Sequence, residues 1–138
     1  VPDLLIEEAE EYTKCAGRFG IDTIFLGAPT TSVARMRKID RVSKGFLYYV
    51  SLEGTTGIRR RLPAGLIERL RILKKEVKNP LCVGFGISQQ WQAKEIYKYT
   101  DGVIVGSALV KIIIEEQKRH HFMLKKLSEM ALKRTRPK

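Results

Sequence analysis

Glycine and serine residues at the ends of two apolar runs suggest a phosphate-binding site. The first run, residues 81–88 (LCVGFGIS), carries Gly84 and Gly86 just before a predicted helix, and the second, residues 102–108 (GVIVGSA), ends in Gly106 and Ser107. A glycine leaves backbone N–H groups uncovered by any Cβ, and the start of a helix carries partial positive charge. Either turn alone is explained as a tight strand-to-helix connection. On neighbouring strands, the two together predict one phosphate site, as in the loops after strands 7 and 8 of a (β/α)8 barrel.

A polar loop precedes these runs. Residues 52–62 (LEGTTGIRRRL) hold two glycines, two threonines and three consecutive arginines without periodicity. Such a segment is too polar for a core and longer than most strand-to-helix connections, and its glycines can absorb large backbone changes. We therefore predict a functional lid here.

The elements that must position these segments alternate along the chain. Apolar strands predicted to start near residues 21, 46, 81 and 102 are each followed by a helical pattern, which favours a parallel sheet with right-handed crossovers. With 138 residues against ~250 for a complete barrel, the fold class is α/β, of the parallel (β/α)8 TIM-barrel type, here the C-terminal half-barrel with strands 5–8. The predicted strands are 21–28, 46–51, 81–84 and 103–105, and the predicted helices are 7–18, 33–42, 64–77, 89–99, 107–115 and 122–132.

Local signals refine the helix ends. Ser32, Ser88 and Ser107 are predicted to cap the helices that follow them, because a serine hydroxyl accepts a hydrogen bond from a first-turn N–H. Pro63 is predicted at the first helical position of the third helix. In that helix Arg69 is expected to face solvent, opposite the apolar stripe.

The basic charge is concentrated at one end. The formal net charge is +11, and residues 117–138 contain eight Lys or Arg against the single acid Glu129. We divide the chain into a half-barrel, residues 1–116, and a basic C-terminal helix and tail, residues 117–138. A solvated basic surface explains the tail best, and nucleic-acid binding through Arg59, Arg60, Arg61 and the tail is the weaker alternative.

The remaining composition restricts the class of protein. Cys15 and Cys82 are each predicted in an apolar setting, so neither indicates a disulfide framework or a metal site, and a reducing cytoplasm fits best. His120 and His121 are interpreted as solvated, because no further ligand residues lie near them. No apolar run is long enough to span a membrane, and no leader precedes the first strand.

Three segments carry a family resemblance: GFLYYVSLEGTTG (residues 45–57), VGFGIS (83–88) and DGVIVGSA (101–108). With VPDLL at the start and IFLGAPTT at residues 24–31, the chain resembles the tryptophan synthase alpha chain over roughly residues 1–115. The resemblance implies a cytoplasmic lyase of tryptophan biosynthesis that cleaves indole-3-glycerol phosphate to indole and glyceraldehyde 3-phosphate. It also implies a beta-chain partner within a heterotetramer. No cofactor is expected in this chain, since pyridoxal phosphate belongs to the beta chain.

The resemblance also implies residue roles. The lid residue Thr56 is similar to the threonine that closes over the site and orients the catalytic aspartate. Tyr48 and Ile104 also fit a purely structural role as barrel-filling side chains. The implied phosphate-binding residues are Gly57, Gly86, Gly106 and Ser107, and the implied pocket residues are Tyr48, Phe85 and Ile104.

The chain also departs from the family pattern. The catalytic glutamate and aspartate of the family belong to its N-terminal half, and Asp3 and Glu53 do not substitute for them. Since the sequence starts at Val1 and has half a barrel's length, we expect a fragment that binds phosphate without turnover. Leu5, where the family usually has proline, puts the strength of beta-chain pairing in doubt. A non-catalytic phosphate-binding half-barrel is the main alternative, and its open strand edges predict self-association.

Overall fold

The computed structural model describes residues 2–51, 62, 64–84, 90–115 and 120–134. Helices and strands alternate through these residues as the sequence predicts. A 3₁₀ turn at Ile6–Glu8 precedes the first α-helix. The elements are α1 (Glu10–Arg18), β1 (Leu26–Gly27), α2 (Val33–Val42), β2 (Leu47–Val50), α3 (Leu66–Glu76), β3 (Leu81–Gly84), α4 (Gln90–Ile96), β4 (Gly102–Ile104), α5 (Ser107–Glu115) and α6 (His120–Arg134).

The four strands form one parallel sheet in the order β1-β2-β3-β4. Each strand lies beside the next one in the chain, which is the arrangement of consecutive strands in a (β/α)8 barrel. The register aligns Tyr48 with Cys82 and Cys82 with Gly102. It likewise aligns Val50 with Gly84 and Gly84 with Ile104.

The two faces of the sheet differ sharply in burial. Leu47, Tyr49, Leu81 and Val83 are at most 1% exposed, and they share one core with the helices, which contribute Met36, Ile39, Leu66, Leu70, Leu73, Ala93 and Ile96. The alternate residues Tyr48, Val50 and Cys82 are only half-buried. Since side chains alternate between the faces of a strand, the helices cover one face and the second set lies on the other, concave face.

The predicted first strand, residues 21–28, is too long. Only Leu26–Gly27 is strand, and Ile21 is 59% exposed. Upstream of β1 the carbonyl of Thr23 accepts a hydrogen bond from the Lys44 N–H. The ladder with β2 begins only at Leu26 and Tyr48, after the neighbouring chain has turned at Gly45, which has a φ of +82°.

The helix ends follow side-chain and glycine geometry. The predicted cap of α2 is confirmed, because Ser32 Oγ accepts from the Arg35 N–H at 3.2 Å. α3 begins at Leu66, after Gly65 with a φ of +74°, and so starts two residues later than predicted. Pro63 lies outside the described residues. The carbonyl of Gly106 accepts from the Val110 N–H, which gives Gly106 rather than Ser107 the capping position of α5. Ser88 lies outside the described residues.

Arg69 does not face solvent as predicted. It is half-buried, and its Nη2 donates to the carbonyl of Thr31, in the turn after β1. Its buried Nε has no hydrogen-bond partner among the described residues. Arg69 thus connects α3 to that turn, a long-range contact that helical periodicity does not indicate.

Two carboxylates fasten the segments before β3 and β4. Asp40, 6% exposed at the end of α2, accepts from the N–H groups of Lys78 and Asn79 at 3.0 Å and from the Asn79 side chain at 3.1 Å. Asp101 accepts from the Leu81 N–H at 2.8 Å and forms an ion pair with Lys74. Both lie at the amino ends of the strands. They therefore stabilise the end of the sheet that is opposite the strands' carboxyl ends.

The Asp40 contacts predict a stability cost. Replacing Asp40 by alanine leaves the partly buried N–H groups of Lys78 and Asn79 without this acceptor, so Asp40→Ala should lower the free energy of unfolding by about 1–2 kcal/mol. Urea denaturation measures this change. Lys38→Ala, at an exposed position of the same helix, is the matched control and should stay within about 0.5 kcal/mol of the parent; equal effects of the two substitutions would refute this role of Asp40.

Candidate functional site

The carboxyl ends of β2, β3 and β4 bring predicted pocket residues together on the concave face. Tyr48 extends from β2 across Gly84 of β3, towards Ile104 of β4. A Cβ built on Gly84 would overlap the Tyr48 hydroxyl, lie 2.7 Å from its Cζ and lie 3.1 Å from the Ile104 Cβ. The structure therefore places Tyr48 and Ile104 on either side of Gly84, while Phe85 lies outside the described residues.

Gly84, predicted only as part of the phosphate-binding turn, has a packing role that the sequence analysis missed. It is buried, and the space that a side chain would take is filled by the Tyr48 ring. The signal that could have revealed it is the small residue at the end of β3, diagonal to a large aromatic residue on the adjacent strand.

Ser51 was also missed. It follows β2, at the start of the predicted lid, and is 4% exposed. Its N–H and its Oγ both donate to the carbonyl of Gly84 at 3.0 Å. These bonds continue the β2–β3 pairing. They hold Ser51, the residue immediately before the predicted lid, against the end of β3.

The pKa of Tyr48 is raised, because its partial burial disfavours the phenolate. Tyr48 consequently keeps its proton at neutral pH and offers an O–H donor above an apolar surface. A neutral hydroxyl beside Ile104 suits a ligand with a flat apolar part and a polar substituent.

Gly106 opens α5 at the carboxyl end of β4. It is exposed, and a Cβ built on it would meet no atom within 4 Å. The φ of Gly106 is not positive, so backbone conformation does not require glycine there. Ser107 is the exposed first residue of α5, and the N–H groups of a first helical turn lack intrahelical acceptors. Together these features leave an open helix N-terminus two residues beyond Ile104, and helix N-termini of this kind are suited to anions.

The other predicted phosphate and lid residues cannot be placed. Gly57, Gly86 and Thr56 all lie outside the described residues, as do Glu53 and the three arginines of the lid segment. Their assignments stay predictions. Asp3 is described and exposed.

The two cysteines differ in their surroundings. Cys15 is exposed, which corrects the expected apolar setting, whereas Cys82 is half-buried on the concave face. Both are free thiols. Burial, followed by the nearby Asp101 carboxylate, raises the pKa of the Cys82 thiol. In the described part of the chain, no group of three or more His, Cys, Asp or Glu side chains could hold a metal ion, and none of the helices there could cross a bilayer.

A consecutive parallel four-stranded sheet, covered by helices on one face and followed by an open helix N-terminus after β4, defines this chain as half of a (β/α)8 barrel. The family model described as "Tryptophan synthase alpha chain" matches residues 1–136. The chain therefore belongs to the tryptophan synthase alpha chain family.

Individual relatives agree. The chain is 42% identical over 132 residues to the tryptophan synthase alpha chain of Thermococcus kodakarensis, covering 95% of this chain and 53% of the relative. It is 50% identical over 113 residues to that of Carboxydothermus hydrogenoformans, covering 82% and 42% respectively. A solved structure of the tryptophan synthase a2b2 complex of Pyrococcus furiosus matches with a TM-score of 0.81 and 42% identity, covering 94% of this chain and 53% of that chain. The chain thus spans about half the length of these relatives.

The contact at Gly84 predicts a suppressible defect. Gly84→Ala should lower the free energy of unfolding by about 1–3 kcal/mol, because the new Cβ collides with the Tyr48 ring. Adding Tyr48→Val should recover part of that loss, because the smaller side chain vacates the space, so the two substitutions would be non-additive. Thermal unfolding of both single variants and the double variant measures the coupling. Gly106→Ala, whose Cβ meets nothing, is the control; strict additivity would contradict the contact.

The cysteine surroundings predict different thiol reactivities. At mildly alkaline pH Cys15 should react quickly with a disulfide reagent, whereas Cys82 should react slowly. Its raised pKa leaves less thiolate at any given pH, and its rate should therefore rise only as the pH approaches that higher pKa. Stopped-flow absorbance on Cys15→Ser and Cys82→Ser assigns the two phases, and equal rates in both variants would rule out the protection of Cys82.

Proposed function

We propose that this chain provides the phosphate-binding half of a tryptophan synthase alpha barrel, a lyase that cleaves indole-3-glycerol phosphate to indole and glyceraldehyde 3-phosphate. The observation that carries the proposal is the open helix end at Gly106, adjacent to the surface formed by Tyr48, Gly84 and Ile104. A phosphate dianion needs clustered N–H donors, and an indole ring needs apolar walls. The proposed site offers both at the carboxyl ends of β2, β3 and β4.

The residues take distinct roles in this proposal. Backbone N–H groups at Gly106 and Ser107 bind the phosphate, with the Ser107 hydroxyl as a further donor. Tyr48 and Ile104 contact the indole and glycerol parts of the substrate. Because Gly84 has no side chain, the Tyr48 ring lies directly against β3 and leaves room for the substrate. The lid and strand-7 residues that complete the site are Thr56, Gly57, Phe85 and Gly86.

In this proposal the residues that transfer protons lie outside residues 1–138. Cleavage of a carbon–carbon bond to an indole ring needs a general acid and a general base at the reacting atoms. We assign these to carboxylates in the other half of the barrel, so residues 1–116 alone bind substrate without converting it. Residues 117–138 then form a basic helix and tail that is separate from the site.

The proposal extends to partners and location. A beta chain accepts the indole within a heterotetramer, and that chain holds the pyridoxal phosphate, whereas this chain needs no cofactor of its own. The protein works in the cytoplasm. Support comes from family membership and from the relative that was solved as an a2b2 complex.

Phosphate binding tests the site directly. Gly106→Ala should weaken binding of glycerol 3-phosphate at least about tenfold, because a methyl group enters the open space where the anion approaches, while no side chain is displaced. Titration calorimetry measures the affinity and thermal unfolding checks the fold. The matched control is Gly17→Ala on α1, where a Cβ lies 3.7 Å from the flexible Lys44 Nζ. Equal binding by both variants would show that Gly106 serves only as a turn.

Indole release separates the proposal from a purely non-catalytic binding role. The 138-residue chain should release no indole from indole-3-glycerol phosphate, and addition of a relative's N-terminal half-barrel should produce turnover. Turnover by the chain alone would contradict the assignment of the carboxylates. Persistent inactivity with the added half, despite binding between the two, would favour a non-catalytic phosphate-binding protein.

A further inference from the structure

The carbonyl of Gly84 receives two hydrogen bonds from one residue of the neighbouring strand end. The N–H and the Oγ of Ser51 both donate to it, each at 3.0 Å. The backbone bond continues the parallel ladder beyond its last aligned pair, Val50 and Gly84. The side-chain bond is additional to that ladder. Because a carbonyl oxygen has two lone pairs, Ser51 alone can occupy both.

The glycine at position 84 explains why a second bond is useful. The Tyr48 ring fills the space that a side chain would take, and a Cβ built there would lie 2.7 Å from the Tyr48 Cζ. The position therefore requires glycine, the residue with the greatest backbone freedom. Since the peptide unit is planar, a fixed direction of the Gly84 carbonyl also fixes the plane of the peptide bond that follows. The Ser51 hydroxyl thus limits the freedom that glycine introduces at the end of β3.

The surroundings connect this bond to the proposed ligand surface. Ser51 is 4% exposed and Gly84 is buried, so loss of the hydroxyl would leave a buried carbonyl with one donor fewer. Tyr48 lies across Gly84, with Ile104 on the other side. A displacement of the Gly84 backbone would therefore move the surface against which the Tyr48 ring packs.

We propose that Ser51 is a positioning residue of the ligand site: its hydroxyl holds the Gly84 backbone in place and thereby fixes the position of the Tyr48 hydroxyl. Ser51 does not touch the ligand, because its side chain is buried and donates to the Gly84 carbonyl. The inference rests on the proposed function for the identity of the ligand. The position of Tyr48, however, can be measured without any ligand.

Fluorine NMR follows the Tyr48 ring directly. In the full chain labelled with fluorotyrosine, Tyr48→Phe identifies the Tyr48 resonance. Ser51→Ala keeps the backbone bond but removes the hydroxyl, so it should shift or broaden this resonance, whereas Ser51→Thr retains the hydroxyl and should give the parent spectrum. Ser51→Cys, with a weaker donor, should give an intermediate shift. An unchanged Tyr48 resonance in Ser51→Ala, or an equal change in Ser51→Thr, would overturn the proposal.

Ser43 provides the matched control. It is 5% exposed, close to the 4% of Ser51, but it lies before the amino end of β2, and its Oγ has no hydrogen-bond partner among the described residues. Ser43→Ala thus removes a buried hydroxyl far from the Gly84 carbonyl and should leave the Tyr48 resonance unchanged. Equal displacements of that resonance in the Ser43 and Ser51 variants would refute a specific role of Ser51.

Ligand binding supplies the functional readout. Titration calorimetry with indole-3-glycerol phosphate should give a dissociation constant about fivefold higher for Ser51→Ala than for the parent, the ratio expected for one ordinary hydrogen bond. Ser51→Thr and Ser43→Ala should bind as the parent does. Equal affinities of Ser51→Ala and a parent that binds would overturn the positioning role. Absence of binding by the parent would instead refute the proposed function, and the fluorine spectra would then decide the role of Ser51 by themselves.

Discussion

The alternation of side chains along β2 and β3 is the constraint on which the rest of the molecule depends. Leu47, Tyr49, Leu81 and Val83 must all face the helices to be buried, and a shift of one residue would expose all four. This requirement fixes the pairing register. It also places Tyr48 on the concave face, where the proposed ligand site lies.

The sequence predicted those features that depend on local chemistry. The aromatic and apolar run that contains β2, the serine before α2 and the alternating order of elements each carry their signal within a few residues. For the same reason the parallel half-barrel could be deduced without coordinates. The limits of β1 could not, because ladder formation there depends on the position of a neighbouring segment that turns away at Gly45.

Non-local contacts explain the other differences. Arg69 has the polarity and helical position of a solvent-facing residue, yet the carbonyl of Thr31 binds it. The importance of Gly84 arises from the Tyr48 ring on the adjacent strand. The phosphate role of Gly106 stays a prediction, because it rests on the local pattern of a glycine before a helix and on the open space around that glycine.

The two ends of the sheet differ in role: one carries stabilising contacts and the other the proposed ligand site. Asp40 and Asp101 stabilise the amino ends of the strands, whereas the proposed ligand surface lies at their carboxyl ends. For protein engineering, this division makes the amino edge the place to introduce thermostabilising substitutions. Additional hydrogen bonds or shortened loops there would leave the residues of the proposed site unaltered, so heat resistance and specificity could be optimised in separate rounds.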